Sequence, residues 1–182
     1  MAFLFDIYRA RLIAAMNRAG SALAVAGLLA AFFFNTTASA QNKRSSGDRL
    51  QAIADHSRSI KQNPGNANTY YNRGNEFYKL GKYQLAINDY NSAIELNPKF
   101  AEAYNNRGMA YGTLANYRQS ISDYSNAIEL NPKYTEAYYN RGVALSKAGN
   151  DRMAIQSYKM AAKLGHYRAQ TYLTSKAINW KQ

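Results

Sequence analysis

Residues 101–134 read AEAYNNRGMAYGTLANYRQSISDYSNAIELNPKY, and this stretch decides the fold because the residues on either side repeat it. Ala67–Phe100, Ala101–Tyr134 and Thr135–Arg168 align as three blocks of 34 residues. Asn72, Asn106 and Asn140 coincide, as do Arg73, Arg107 and Arg141, and Gly74, Gly108 and Gly142. Tyr90, Tyr124 and Tyr158 also fall together, followed by Ala93, Ala127 and Ala161. Pro98 and Pro132 close the first two blocks, and His166 takes that place in the third. Self-similarity at a fixed period of this length marks stacked supersecondary units, each unable to bury its own apolar face alone.

The spacing inside a block predicts two helices. Tyr104, Gly108 and Tyr111 lie at i, i+4 and i+7, on one helical face, and Ser120, Tyr124 and Ala127 repeat that spacing further on. Glycine inside a helix costs about 1 kcal/mol against alanine. Its return at one position of every block predicts that a Cβ there would collide with the paired helix. Asn97-Pro98 and Asn131-Pro132 end the second helix, since proline cannot continue it and disfavours αR in its predecessor. Leu80-Gly81-Lys82 and Ala148-Gly149-Asn150 supply the turn between the two helices, where glycine reaches positive φ without strain. Arg73 with Asp89, and Arg107 with Asp123, stand sixteen residues apart. They are expected to form ion pairs across the hairpin, more than half exposed and worth about 0–1 kcal/mol. The third block offers Ser157 to Arg141 instead.

These residues resemble the tetratricopeptide repeat (TPR) family. Its pattern asks for aromatics at repeat positions 4, 11 and 24, small residues at 8 and 20, alanine at 27 and proline at 32. The second block supplies Tyr104, Gly108, Tyr111, Ser120, Tyr124, Ala127 and Pro132, and the first supplies Tyr70, Gly74, Phe77, Ala86, Tyr90, Ala93 and Pro98. The third departs only at Leu145 and His166. The resemblance implies an all-α fold, an α-solenoid of helix-turn-helix repeats wound as a right-handed superhelix. Its concave face is lined by the first, or A, helix of each repeat.

Outside the three blocks the register continues. Ala52, His56, Ser59 and Pro64 fall at positions 20, 24, 27 and 32 counted back from the first block, so residues 49–66 are expected to form a half-repeat with one B-type helix. Tyr167–Ile178 is expected as a closing A-type helix within a cap and tail over 167–182, because a solenoid end must cover its last apolar face. Eight helices are therefore expected. Residues 41–48 read as a disordered leader.

The first forty residues are expected to be a signal peptide. Arg9, Arg11 and Arg18 form a basic region, Ala19–Phe34 is apolar, and Thr36-Thr37-Ala38-Ser39-Ala40 ends in A-x-A. Cleavage after Ala40 is expected, with an uncleaved anchor helix as the alternative; the apolar stretch is short for a span of about 20 residues. An exported protein, periplasmic or secreted, follows. Cleavage would leave 20 basic and 10 acidic side chains, a net charge of +10 against +12 for the full 182 residues. That charge is either a solvated face or an attraction to anionic surfaces.

Enzyme chemistry finds little to stand on. The absence of cysteine excludes disulfides, thiolate metal sites and cysteine nucleophiles. His56 is expected in a core aromatic position and His166 in a turn, far apart and without metal-ligand spacing. No phosphate loop, nucleophile elbow or paired-carboxylate motif occurs. No cofactor, no metal and no catalytic residue are expected. The tyrosine stripe has the spacing of core packing rather than of a nucleic-acid stacking platform, so nucleic acid is not expected as a partner.

The TPR resemblance also implies where a partner would sit. Inward-pointing positions are Asn68, Tyr71, Asn75, Tyr78 and Lys79 in the first block, Glu102, Asn105, Met109, Gly112 and Thr113 in the second, and Glu136, Tyr139, Val143, Ser146 and Lys147 in the third. The Asn72, Asn106 and Asn140 ladder flanks them, suited either to the backbone of an extended peptide or to bonds that tie neighbouring repeats. Modules of this family that grip C-terminal carboxylates place Lys or Arg on the inner face of the first and third repeats. Tyr71 and Glu136 stand at two of those places, so a carboxylate-clamp ligand is not expected. The expected function is a non-catalytic protein- or peptide-binding scaffold or adaptor of a bacterial cell envelope. The alternative is a basic envelope factor that contacts anionic lipid or cell-wall polymer.

Overall fold

In a computed structural model, residues 46–181 are described, and every regular element among them is helical. Helix α1 covers residues 46–62. Three hairpins follow: α2 (Ala67–Lys79) with α3 (Tyr83–Leu96), α4 (Ala101–Thr113) with α5 (Tyr117–Leu130), and α6 (Thr135–Lys147) with α7 (Asp151–Lys163). Helix α8 (Tyr167–Ser175) closes the series, giving the eight helices that the register predicts. The predicted leader is helical over its last three residues, 46–48. The expected signal segment, 1–40, and leader residues 41–45 lie outside the described residues.

From Arg49 onward the helices stack in one unit. Each A helix packs most heavily on the B helix of its own hairpin, and each B helix on the next A helix. Successive A helices also touch, α2 with α4 and α4 with α6, whereas no comparable contact joins B helices among the described residues. The A helices therefore line the closer-packed, inner side of the stack. Asn63, Asn97 and Asn131 each accept a hydrogen bond on Oδ1 from the backbone N–H two residues on, past the proline, at 3.1–3.3 Å. These matched turns place α1 in the same register as the B helices.

The core is built by one size rule. Ala86, Ala93, Ala103, Ala127, Ala137, Ala161 and Ala169 are fully buried, with Tyr90, Tyr124 and Tyr158 beside them. A Cβ on Gly74 would lie 2.8 Å from the Tyr90 ring, one on Gly108 3.0 Å from Tyr124, and one on Gly142 2.6 Å from Tyr158. The recurring glycine is thus the floor on which the tyrosine rests. The turn glycines behave as expected, Gly81 at φ +73° and Gly149 at +79°, but the middle repeat holds Ala115 at +59°.

Two expectations need correction. The Arg73–Asp89 and Arg107–Asp123 pairs are not mostly exposed. Each is bidentate, with N–O distances of 2.7–2.8 Å, and the Asp side chains keep only 7% and 5% of their exposure. The third guanidinium nitrogen reaches back to the preceding B helix, from Arg73 to Ser57 at 3.0 Å and from Arg107 to Asn91 at 2.7 Å. Each arginine therefore joins three helices, which explains its recurrence better than a surface ion pair does. Secondly, the closing helix ends at Ser175 rather than Ile178. Ala177 takes φ +53°, and the chain turns so that Ile178 and Trp180 pack on the last core cluster around Leu173.

Candidate functional site: the inner face of the A helices

Two adjoining clefts open on the inner face. One, of about 380 Å³, is lined by Asn75, Tyr78, Lys79, Tyr90, Asn106 and Met109. The other, of about 260 Å³, runs from Tyr78 and Met109 past Gly112 and Thr113 to Asn140, Val143 and Lys147. Shared Tyr78 and Met109 make them one groove across α2, α4 and α6. Position 12 of the repeat explains the depth of its middle. The first repeat fills it with Tyr78, whereas the second has Gly112, so the groove reaches Tyr117, Ser120 and Tyr124 of α5. A third cleft, of about 620 Å³, lies where α6 meets the α7–α8 turn and includes Glu136, Tyr139, Asn140, His166 and Arg168.

The expected ladder of Asn72, Asn106 and Asn140 is met only in part: Asn106 and Asn140 are bonded, but the amide that meets Asn106 from the first repeat is Asn75, and Asn72 is exposed. Asn106 Nδ2 donates to Asn75 Oδ1 at 2.9 Å and to the Tyr71 hydroxyl at 3.1 Å. Asn75 Oδ1 also accepts from the Tyr90 hydroxyl at 2.8 Å. Asn105 Nδ2 donates to Asn106 Oδ1 at 3.1 Å, and Asn140 Nδ2 donates to Asn105 Oδ1 at 3.4 Å. The chain of amides ties three repeats together through side chains. Asn105, expected as a contact residue, is only 4% exposed and belongs to this internal network. Asn75 keeps its amide protons, and Asn140 its carbonyl, outside the bonds among described residues.

The other predicted contacts divide by place. Asn75, Tyr78, Lys79, Asn106, Met109, Asn140 and Val143 line the groove, and Glu136 and Tyr139 line the third cleft. Asn68, Asn72 and Glu102 are exposed and stand outside all three clefts. Tyr71 is half-buried, its ring 4.7 Å from Phe100 and 6.0 Å from Tyr90. It is a packing residue and a hydrogen-bond acceptor more than a free anchor. Sequence reasoning missed Tyr117, Ser120 and Tyr124 as groove residues; Gly112 was the signal, a gap in a position that is elsewhere filled.

The tyrosines of the groove floor are neutral, with Lys79 and Lys147 at its rim. Burial pushes the Tyr90 and Tyr124 hydroxyls well above their ordinary values. Tyr134 rises to about 12, chiefly through burial, with Tyr71, Glu102 and Glu136 adding to it. Such tyrosines stay protonated at neutral pH and act as neutral donors. Among the described residues no three His, Cys, Asp or Glu side chains cluster as a metal site would require. His166 is used structurally: Nδ1 accepts from the Ala169 backbone N–H at 3.2 Å, capping α8, and the ring stacks on Tyr139 at 4.2 Å.

Comparison with known proteins agrees with this architecture. Residues 74–114 match the family described as TPR repeat, and residues 101–134 and 124–156 match families described as tetratricopeptide repeat. Among solved structures the chain is similar to MamA, at 26% identity over 75% of this chain and 84% of that one, with a TM-score of 0.67. It is also similar to the first TPR of Spaghetti (RPAP3) bound to the HSP90 peptide SRMEEVD, at 29% identity over 61% of this chain and 90% of that one, with a TM-score of 0.58. The TPR domain of Arabidopsis OM64 is 27% identical over 60% of this chain and 95% of that one, with a TM-score of 0.56. No curated protein matches the chain. A 34-residue period, three stacked hairpins in that register and three family matches lead to one assignment: the chain is a tetratricopeptide-repeat protein.

Proposed function

We propose that the chain is a non-catalytic scaffold that holds an extended segment of a partner protein along the inner groove. TPR domains are in general protein-interaction scaffolds, which supplies the class. The observation that carries the specific reading is the continuity of the two clefts through Tyr78 and Met109. An extended peptide needs apolar recesses for alternate side chains and polar groups for its backbone. Met109, Val143 and Tyr78 form the recesses, and the free amide protons of Asn75 and carbonyl of Asn140 offer the polar contacts. Tyr71 and Glu136 leave the inner face without the cations of a carboxylate clamp, so the ligand is read as an internal segment rather than an acidic C-terminus. The further proposal is that the chain acts outside the cytoplasm of a bacterium, after cleavage behind Ala40; the support is the arrangement of residues 1–40.

One in-cell experiment tests both parts. A photo-crosslinking amino acid replaces Tyr78 in the groove or, as a control, Leu96 on a hairpin end. Capture of a defined partner from position 78 and none from 96 is expected, with this chain beginning at Gln41 in the crosslinked product. Equal capture from both positions, or none from 78, removes the groove reading. If this chain begins at Met1 in the crosslinked product, cleavage behind Ala40 is removed and the groove reading is untouched.

A further inference from the structure

The two ends of the hairpins differ in charge. Turns that join A to B within a repeat carry Lys79 and Lys82, then Arg118, then Lys147 and Arg152, against the single acid Asp151. Lys79 is bonded to Glu76, and Asp151 accepts from the Ser146 hydroxyl. Lys82, Arg118, Lys147 and Arg152 are exposed and form no ion pair among the described residues. Two turns at the other end pair their cation with acids, Lys99 lying between Glu95 and Glu102 and Lys133 between Glu129 and Glu136, whereas the α7–α8 turn carries Lys163 and Arg168 without an acid. Because the hairpins stack in register, the A–B turns form one continuous cationic edge.

Both hairpin ends expose apolar side chains, those of the other end being Leu96, Leu130 and Met160, so it is their company with unpaired cations that marks the A–B edge. Leu85 is 44% exposed, Leu114 40% and Met153 49%, each within a few residues of the turn cations. Tyr83 and Tyr117, half-buried, stand at the first position of their B helices beside them. Cations with intervening leucine, methionine and tyrosine have the composition of a surface that lies in the headgroup region of an anionic bilayer. A soluble polyanion would need the cations but would gain nothing from the apolar tips. We propose that the A–B turn edge docks on an anionic lipid bilayer, with its lysines and arginines among the headgroups and Leu85, Leu114 and Met153 entering the acyl boundary. Tyr117 and Lys147 also line the inner groove, so the docked edge forms one rim of the groove; the proposal does not depend on what the groove binds.

The chain has no cysteine, so a single introduced one reports one place. In the full chain, Leu114→Cys on the proposed edge and Leu130→Cys at the other hairpin end are labelled with a polarity-sensitive fluorophore. Both are mixed with phosphatidylcholine vesicles with and without phosphatidylglycerol. The probe at 114, and not at 130, is expected to brighten with the anionic vesicles, to be quenched by spin-labelled acyl chains, and to revert in high salt. Adding Lys82→Gln, Arg118→Gln and Arg152→Gln to Leu114→Cys should weaken the interaction about a hundredfold, from a loss of about fivefold per cation. Removing Lys99, Lys133 and Lys163 instead should change it little. Because both probes share the same N-terminal segment, membrane attachment through that segment alone would move them alike and would overturn the proposal. So would a response at 114 that polyphosphate reproduces without lipid, or no response at all.

Discussion

At residue scale the repeat works by pairing one absence with one presence. Gly142 lacks the atom that would strike Tyr158 at 2.6 Å, and Tyr158 fills the space that the glycine leaves. That relation was legible in the alignment, because the glycine returns every 34 residues where helix propensity argues against it. The fate of Asn105 was not legible. Its position faces inward on a helical wheel, but the approach of α6 buries it under Asn140, which a single-helix projection cannot show. The middle turn yields a prediction. Ala115 occupies φ +59°, where the other two repeats place Gly81 and Gly149. An L-residue there costs about 1–2 kcal/mol, partly offset by the greater chain entropy that glycine loses on folding. Ala115→Gly should therefore raise the unfolding free energy by about 0.5–1 kcal/mol. Urea denaturation measures it, and an unchanged or lower midpoint would show that the turn carries no strain.

At the scale of elements, the arginine of each A helix is the tie between hairpins. Arg73 and Arg107 each hold an aspartate of their own B helix and a polar group of the preceding one. The bonds to Asp89 lead in raising the Arg73 guanidinium above its usual value, whereas burial opposes the Arg107 charge and Asp123 outweighs it. The third repeat lacks the acid. Arg141 Nε donates to Ser157 at 3.1 Å and Nη1 to Ser125 at 3.4 Å, and burial lowers the guanidinium. Sequence spacing identified the partners in each hairpin but not the third helix. The link to Ser57, Asn91 and Ser125 depends on how hairpins stack, which no single block encodes. Ser157 is 2% exposed and already in the place of Asp89 and Asp123. Ser157→Asp should supply two charge-assisted bonds to Arg141 and stabilise the protein by about 1–2 kcal/mol after the desolvation of the new carboxylate. Thermal unfolding checks it. A fall in Tm would mean that the pocket around Ser157 cannot open for the larger side chain.

At the scale of the molecule, stability passes from repeat to repeat through contacts between neighbours only. Each hairpin in that series packs a buried tyrosine against its own glycine. Burial raises Tyr158 to about 12 from an ordinary value of 10, and it drives Tyr90 and Tyr124 higher still. A tyrosine whose folded value lies above its unfolded value stabilises the fold fully below the unfolded value. That contribution is lost as pH climbs toward the folded one. The window is therefore alkaline, opening near pH 10 and closing at about 12 for Tyr158, with the first two repeats following above it. Because the groove floor includes Tyr90 and Tyr124, the groove should persist until the stack itself opens. Tyrosinate absorbance and helical circular dichroism, followed together from pH 9 upward, should show exposed tyrosines titrating first without loss of helix. The buried set should then ionise in step with helix loss. Tyr158→Phe removes one such proton-linked group and should shift the onset of helix loss to higher pH. If all the tyrosines ionised near 10 with helix intact, the hydroxyls would be open to water, and the buried core of the hairpins would not exist.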